Sequence, residues 1–161
     1  MNIFKLLNLW QDFVSGGASP RDKASIVLKC DGSSITFPVI PADLPVVEQS
    51  QNNSTFNSFI GDMVNIGLMG LRSVKLENYF VPSDTSKYSF ARGDNANDII
   101  NFINQNRPNG KPFTLCITKG HVTYLNIDVL LNNFSYHMTN TSDYVMNLEF
   151  TEYVRREVMP T

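Results

Sequence analysis

Tyr144-Val145-Met146-Asn147-Leu148-Glu149-Phe150-Thr151-Glu152-Tyr153-Val154 is the stretch that decides the fold. In an extended chain Tyr144, Met146, Leu148, Phe150 and Glu152 fall on one side, and Val145, Asn147, Glu149, Thr151 and Tyr153 on the other. A period of two with one side mostly apolar predicts a half-buried strand of an antiparallel sheet. Just upstream, Val122 to Met138 predicts a long strand with a bend near Leu130 to Asn133. The Thr139–Asp143 turn joins the two runs into a hairpin.

Further outward the same signal recurs. Pro112 to Thr118 is apolar enough for an interior strand. Arg72 to Phe80 alternates, with Val74, Leu76 and Asn78 on one side and Ser73, Lys75, Glu77 and Tyr79 on the other. Ile26–Cys30 and Ile35–Ile40 flank Asp31-Gly32-Ser33, a strong short-range hairpin signal. Pro38, Pro41 and Pro45 place the next stretch at a sheet edge or crossing, because proline cannot donate to a ladder. Val46 to Ser50 resumes an extended pattern, Gln51 to Thr55 reads as a loop, and Val81 to Gly93 has loop composition. Phe56 to Leu71 contains Gly61, Gly67 and Gly70, which argues for turns or close backbone approach over a helix.

One internal helix is expected over Ala96 to Asn106. Asp94 or Asn95 caps it, Asp98 suits its positive end, and Ile99, Ile100, Phe102 and Ile103 form its inner face. Pro108-Asn109-Gly110 stops it. A second, amphipathic helix is expected over Asn2 to Val14, from the spacing of Ile3, Leu6, Leu7, Trp10 and Val14, and Ser15 to Pro20 forms a linker after it. The expected fold class is therefore mainly β (α+β). An antiparallel sheet or small barrel carries one packed helix at about residues 95–106. Residues 1–17 form an N-terminal helical arm and residues 18–161 a single domain.

At 161 residues the chain is long enough for a real core. A net charge of −2, with Arg155-Arg156 as the longest basic cluster, excludes a wholesale nucleic-acid binder. No apolar run reaches the length of a membrane span, and Met1 to Val14, broken by Lys5, Asn8, Gln11 and Asp12, does not read as a signal peptide. Cys30 and Cys116 are expected as buried reduced thiols, His121 in an exposed turn and His137 on the surface. Nucleophile-elbow, phosphate-loop and His-Glu-x-x-His motifs are absent, so neither enzyme chemistry nor a cofactor or metal is expected. Asp43, Asp62, Asp84, Asp94, Asp98 and Asp143 all fall at turns or a helix start, where Asp serves local backbone hydrogen bonds. A cell-wall or carbohydrate-binding module stays open as an alternative, since aromatic and Asn-rich loops suit sugars. Tyr79, Phe80, Tyr88 and Phe90 serve equally as core or interface anchors.

Several segments, taken in order, resemble one family. They are the Ile35–Pro45 stretch, Gln51-Asn52-Asn53-Ser54-Thr55, the Gly61–Val74 segment, Tyr79-Phe80-Val81-Pro82 with Tyr88 and Phe90 beyond it, Asn109–Thr118, Asn133-Phe134-Ser135-Tyr136 and Leu148–Tyr153. Together they are similar to the N-terminal domain of PBSX-type phage tail proteins, which usually carry a C-terminal LysM module and are encoded between the tape-measure and hub proteins. The resemblance spans about residues 26–154. It implies a tail-tube-like domain, an antiparallel β-sandwich or barrel with a flanking helix, in the virion, as a tail or baseplate adaptor of a phage or phage-like contractile tail assembled in the host cytoplasm. The implied partners are further copies in a homo-oligomeric ring around a central channel, the tail tube protein, the baseplate hub and the tape-measure protein. No specific nucleic acid and no membrane are implied. The 161 residues carry no LysM module, so peptidoglycan binding is not expected, and the N-terminal helix departs from the family pattern. The candidate assembly contacts are Leu6, Trp10, Gly61, Asn65, Gly67, Gly70, Tyr136 and Tyr153.

Overall fold

The computed structural model describes residues 23–155. The expected Asn2–Val14 helix, its linker, and the candidate contacts Leu6 and Trp10 lie outside the described residues. Among the described residues nine strands and one α-helix follow in chain order: β1 (Ala24–Cys30), β2 (Ser33–Thr36), β3 (Val47–Glu48), β4 (Ser54–Ser58), β5 (Gly61–Asn65), β6 (Ser73–Val81), α1 (Ala96–Asn106), β7 (Phe113–Lys119), β8 (Val122–Met138) and β9 (Tyr144–Glu152). The expected mainly β, α+β chain is what these residues form. Seven strands make one antiparallel sheet in the order β2-β1-β7-β8-β9-β6-β3, and β4 and β5 make a separate two-stranded ribbon.

The alternation over Tyr144–Val154 places β9. Met146, Leu148 and Phe150 are buried, while Val145, Asn147, Glu149 and Thr151 between them are only half-buried. β9 pairs with β8 on one side and β6 on the other, so it sits inside the sheet. The bend expected in β8 is a bulge. Leu131 opposes Phe150 and Asn133 opposes Glu149, leaving Asn132 as the extra residue.

The sheet's inner face carries Ile26 and Leu28 of β1, Phe113, Leu115 and Ile117 of β7, and Leu125, Ile127 and Val129 of β8, all buried. α1 packs Ile99, Ile100, Phe102 and Ile103 into the same core, with the Phe102 and Phe113 rings 6.1 Å apart. Its start is held locally: Asp98 accepts the Asn95 N–H at 3.3 Å, and Asn95 Oδ1 accepts the Thr85 N–H at 2.9 Å. Its end passes through a 3-10 turn at Arg107–Asn109 to Gly110, at φ 66°. The sheet curls until its two ends meet across the core. Phe37, just past β2, stacks edge-on against Tyr79 of β6 with ring centroids 5.6 Å apart. The Tyr79 hydroxyl donates to the Val39 carbonyl and accepts the Val39 N–H at 3.2 Å. Burial pushes the Tyr79 phenol well above its ordinary pKa.

Three sequence expectations need correction. Tyr79 lies on the buried side and Asn78 does not. Leu76 opposes Leu148 and Tyr79 opposes Met146, so β6 spends one residue more than β9 between these pairs. That bulge, with Asn78 at φ 51°, reverses the alternation and turns Tyr79 and Val81 inward. Cys116 is half-buried rather than buried. It alternates with Leu115 and Ile117, so it takes the outer face of β7, which α1 does not cover. Cys30 faces the core, and the two thiols are free and on opposite faces of the sheet. Finally, the loop expected over Gln51–Thr55 contains the start of β4.

Candidate assembly surface

Between β3 and β6 the chain leaves the sheet as a ribbon. Two residues of β3 pair with the start of β6, Val47 with Val74 and Glu48 with Ser73. From there the two legs zip to each other. The Gly70 N–H donates to the Ser50 carbonyl at 2.7 Å, and the Asn52 N–H to the Leu68 carbonyl at 3.0 Å. Side chains reinforce this root: Gln49 Nε2 donates to the Gly70 carbonyl at 2.9 Å, and Asn53 Oδ1 accepts the Gly67 N–H at 3.0 Å. β4 and β5 then pair from Ser54–Asn65 out to Ser58–Gly61. With about ten residues per leg at 3.3 Å each, the arm projects up to ~30 Å.

The arm returns to the sheet at a clamp. Arg72 meets Glu152 through a 2.6 Å ion pair, the Arg72 N–H donates to Glu152 Oε2 at 3.0 Å, and the Glu152 N–H donates to the Arg72 carbonyl at 2.7 Å. The hydrogen bond from the Arg72 side chain holds the Glu152 carboxyl below its usual range.

The surface of the arm is unlike that of a solvated loop. Phe56, Met63, Val64, Ile66, Leu68, Met69 and Leu71 are all exposed. At the tip, Phe59 is fully exposed (101%) and Ile60 is 73% exposed. These two form the loop between the paired Ser58 and Gly61. Two-residue hairpin loops ordinarily use Gly, Asn or Asp. Here the special backbone is confined to Gly61, at φ 119°, so neither Phe59 nor Ile60 is required by the turn. Asp62 is the sole charged residue from Gln49 to Leu71. Exposed apolar patches of this kind are uncommon on a chain that stays alone in water, which makes the arm the candidate contact surface of this fold.

Of the candidate contacts read from sequence, Gly61, Asn65, Gly67 and Gly70 all fall on this arm. Two of these glycines do their work inside it. A Cβ on Gly67 would sit 1.4 Å from the Asn52 carbonyl oxygen, and one on Gly70 2.8 Å from Ser50 Oγ. Tyr136 and Tyr153 are exposed but far apart, since β9 and β8 are antiparallel and they lie toward opposite ends of that pair. Tyr136 belongs to a tilted aromatic row with Phe134 and Tyr144. The sequence reading missed Phe59 and Ile60. The signal was present, as two large apolar residues where a hairpin reverses, but it needs the strands on either side to be recognised first.

A second polar cluster ties loops together. Asp143 is fully buried between β8 and β9. It accepts from the Tyr88 hydroxyl at 2.5 Å, the Thr141 hydroxyl at 3.0 Å and the Ser83 N–H at 3.1 Å, with Lys87 Nζ 3.8 Å away. The Tyr88 hydrogen bond, with these neighbours, lowers its pKa to about 2. A carboxylate so stabilised is a poor base, and its oxygens are committed to holding the 83–88 loop against the β8–β9 turn. Among the described residues no group of three or more His, Cys, Asp or Glu is placed to hold a metal ion. His121 and His137 are exposed.

No family model matches the chain, and no curated protein matches it.

Proposed function

We propose that this protein is a structural component that works by assembling with other protein subunits through the β4–β5 arm. Its place in this reading is the tail of a bacteriophage or a phage-like contractile particle. There it acts as an adaptor at the junction of tail tube and baseplate hub, in a homo-oligomeric ring around the central channel. The observation that carries the assembly reading is the arm's tip, Phe59 and Ile60, held in water by a ribbon braced at its root. The place in a tail rests on the resemblance of residues 26–154 to the PBSX-type tail proteins.

Rings of identical subunits use head-to-tail contacts, and an element reaching beyond the core can supply one side of such a contact. The arm is such an element. It is an insertion between β3 and β6, so the seven-stranded core is complete without it. The outer sheet face adds a polar wall of Asn126, Asp128, Asn147, Glu149 and Lys75, suited to lining a water-filled channel.

Mass photometry of the purified full chain, alone and with tube and hub proteins of a phage tail, tests this. Discrete rings that take up a tube or hub protein are expected. A chain that stays monomeric alone and with those partners would exclude the reading.

A further inference from the structure

The arm needs an acceptor, and the same chain carries a surface that matches its tip. A groove of about 600 Å³ opens beside β1 and β2. Its apolar lining comes from Phe37, Pro38, Ile40, Pro41, Leu44 and Phe90. Three cations, Lys23, Arg92 and Lys119, stand on the same lining, and among the described residues no acid joins them there. Asp94 lies behind it, engaged with the Thr36 N–H at 2.7 Å. The tip presents the complement: two large apolar side chains and, one glycine further on, Asp62, the arm's one charge.

Size agrees as well. Phe and Ile side chains together occupy roughly 250 Å³, so the groove admits both without a clash and leaves room for the backbone of the tip beside them. Area agrees too. From their fractional exposures, the arm's apolar side chains offer on the order of 1,000 Å², of which the tip supplies about a third, so the contact reaches one partner's share of a stable interface when the ribbon behind the tip is covered as well.

We infer that the Phe59–Ile60 tip of one copy seats in the Phe37–Leu44–Phe90 groove of a second copy, with Asp62 against the Lys23, Arg92 and Lys119 rim. This rests on the reading of the arm as an assembly element and names its partner. The contact is head-to-tail: tip and groove are different surfaces, so each copy gives one and receives one. Such a contact closes into a ring or runs on as a filament when it is not reciprocated, and makes a two-fold dimer when two copies exchange tips.

The test uses full-length protein. Ile60→Cys and Ala42→Cys are made as separate variants, since Ala42 is exposed on the groove lining. Each is purified, and the two are treated with a short bis-maleimide alone and mixed. A cross-linked dimer well above the level of either variant alone, appearing only in the mixture, is expected. Charge exchange supplies a second measurement. Arg92→Glu should weaken self-association ~tenfold or more, and Asp62→Arg in a partner copy should recover it.

Three results would overturn the inference. If Phe59→Ser with Ile60→Asn abolishes assembly while Ala42→Arg and Arg92→Glu do not, the arm works but its acceptor lies elsewhere. If neither set changes assembly, the arm reading falls with it. If Ala42→Arg shifts the emission of Trp10, the sole tryptophan, and leaves self-association intact, the N-terminal segment of the same chain occupies the groove instead.

Discussion

Replacing Phe59 with Ser and Ile60 with Asn separates folding from assembly more cleanly than any other change. In the isolated chain Phe59 is 101% exposed and Ile60 73%, so Phe59 contributes no buried area to the fold and Ile60 little. Surface changes of this kind alter stability by no more than about 0.5 kcal/mol. Both new residues also suit a turn, which keeps the ribbon intact. In an assembly the accounting reverses. Full burial of a Phe or Ile side chain is worth roughly 1.5–3 kcal/mol, so losing two at the centre of an interface costs roughly 3–6 kcal/mol. That corresponds to a dissociation constant weaker by about 100- to 10,000-fold. Urea unfolding followed by circular dichroism reads the first quantity, and sedimentation velocity over a concentration series reads the second. A variant that loses several kcal/mol of stability as a monomer would refute the reasoning, because it would mean that the tip packs on its own body. So would unchanged self-association.

Three further outcomes are expected. Ile103→Ala, at a fully buried position of α1, should lower unfolding free energy by about 2–4 kcal/mol in urea, with little change in the denaturant slope. Gly67→Ala places a Cβ 1.4 Å from the Asn52 carbonyl oxygen, so amide exchange over residues 50–70 should accelerate while protection in β7–β9 persists. The Asp143 carboxyl titrates at about 2 in the folded chain against 3.8 unperturbed, so its stabilisation is present above about pH 4 and is lost as pH falls through about 2. Asp143→Asn should therefore melt below the wild type at neutral pH, with the gap closing between about pH 4 and pH 2.

Much of the fold was legible because burial writes itself into the sequence as a period. β9 alternates because one face of it is core, and α1 shows its inner face because four apolar residues recur at helical spacing. The β8 bulge fell inside the bend expected from Leu130 to Asn133. The failures share a cause as well. At Glu77 and Asn78 one extra residue reverses every side chain after it, and nothing in the composition of Arg72–Phe80 announces the insertion. β4 and β5 went unrecognised because both faces of the ribbon meet solvent, so Ser54–Asn65 has no inside and outside to alternate between. Glycine marked the right region. The residues suited to contact a partner, Phe59 and Ile60, carry no pattern until the pairing of Ser58 with Gly61 shows that they cap a hairpin.

The braced root of the arm has a consequence for how such a protein can change. Gln49 to Asn53 and Gly67 to Gly70 bond to each other, and Arg72 locks the return leg to Glu152, so the body sees the same two attachment points whatever lies beyond them. Ribbon residues can then be removed or added in facing pairs, altering reach by about 3 Å per pair, without disturbing the core. The tip can be exchanged on the same footing. The arm behaves as an interchangeable fitting on a fixed body, and a lineage carrying it could acquire a new neighbour by rewriting a dozen residues.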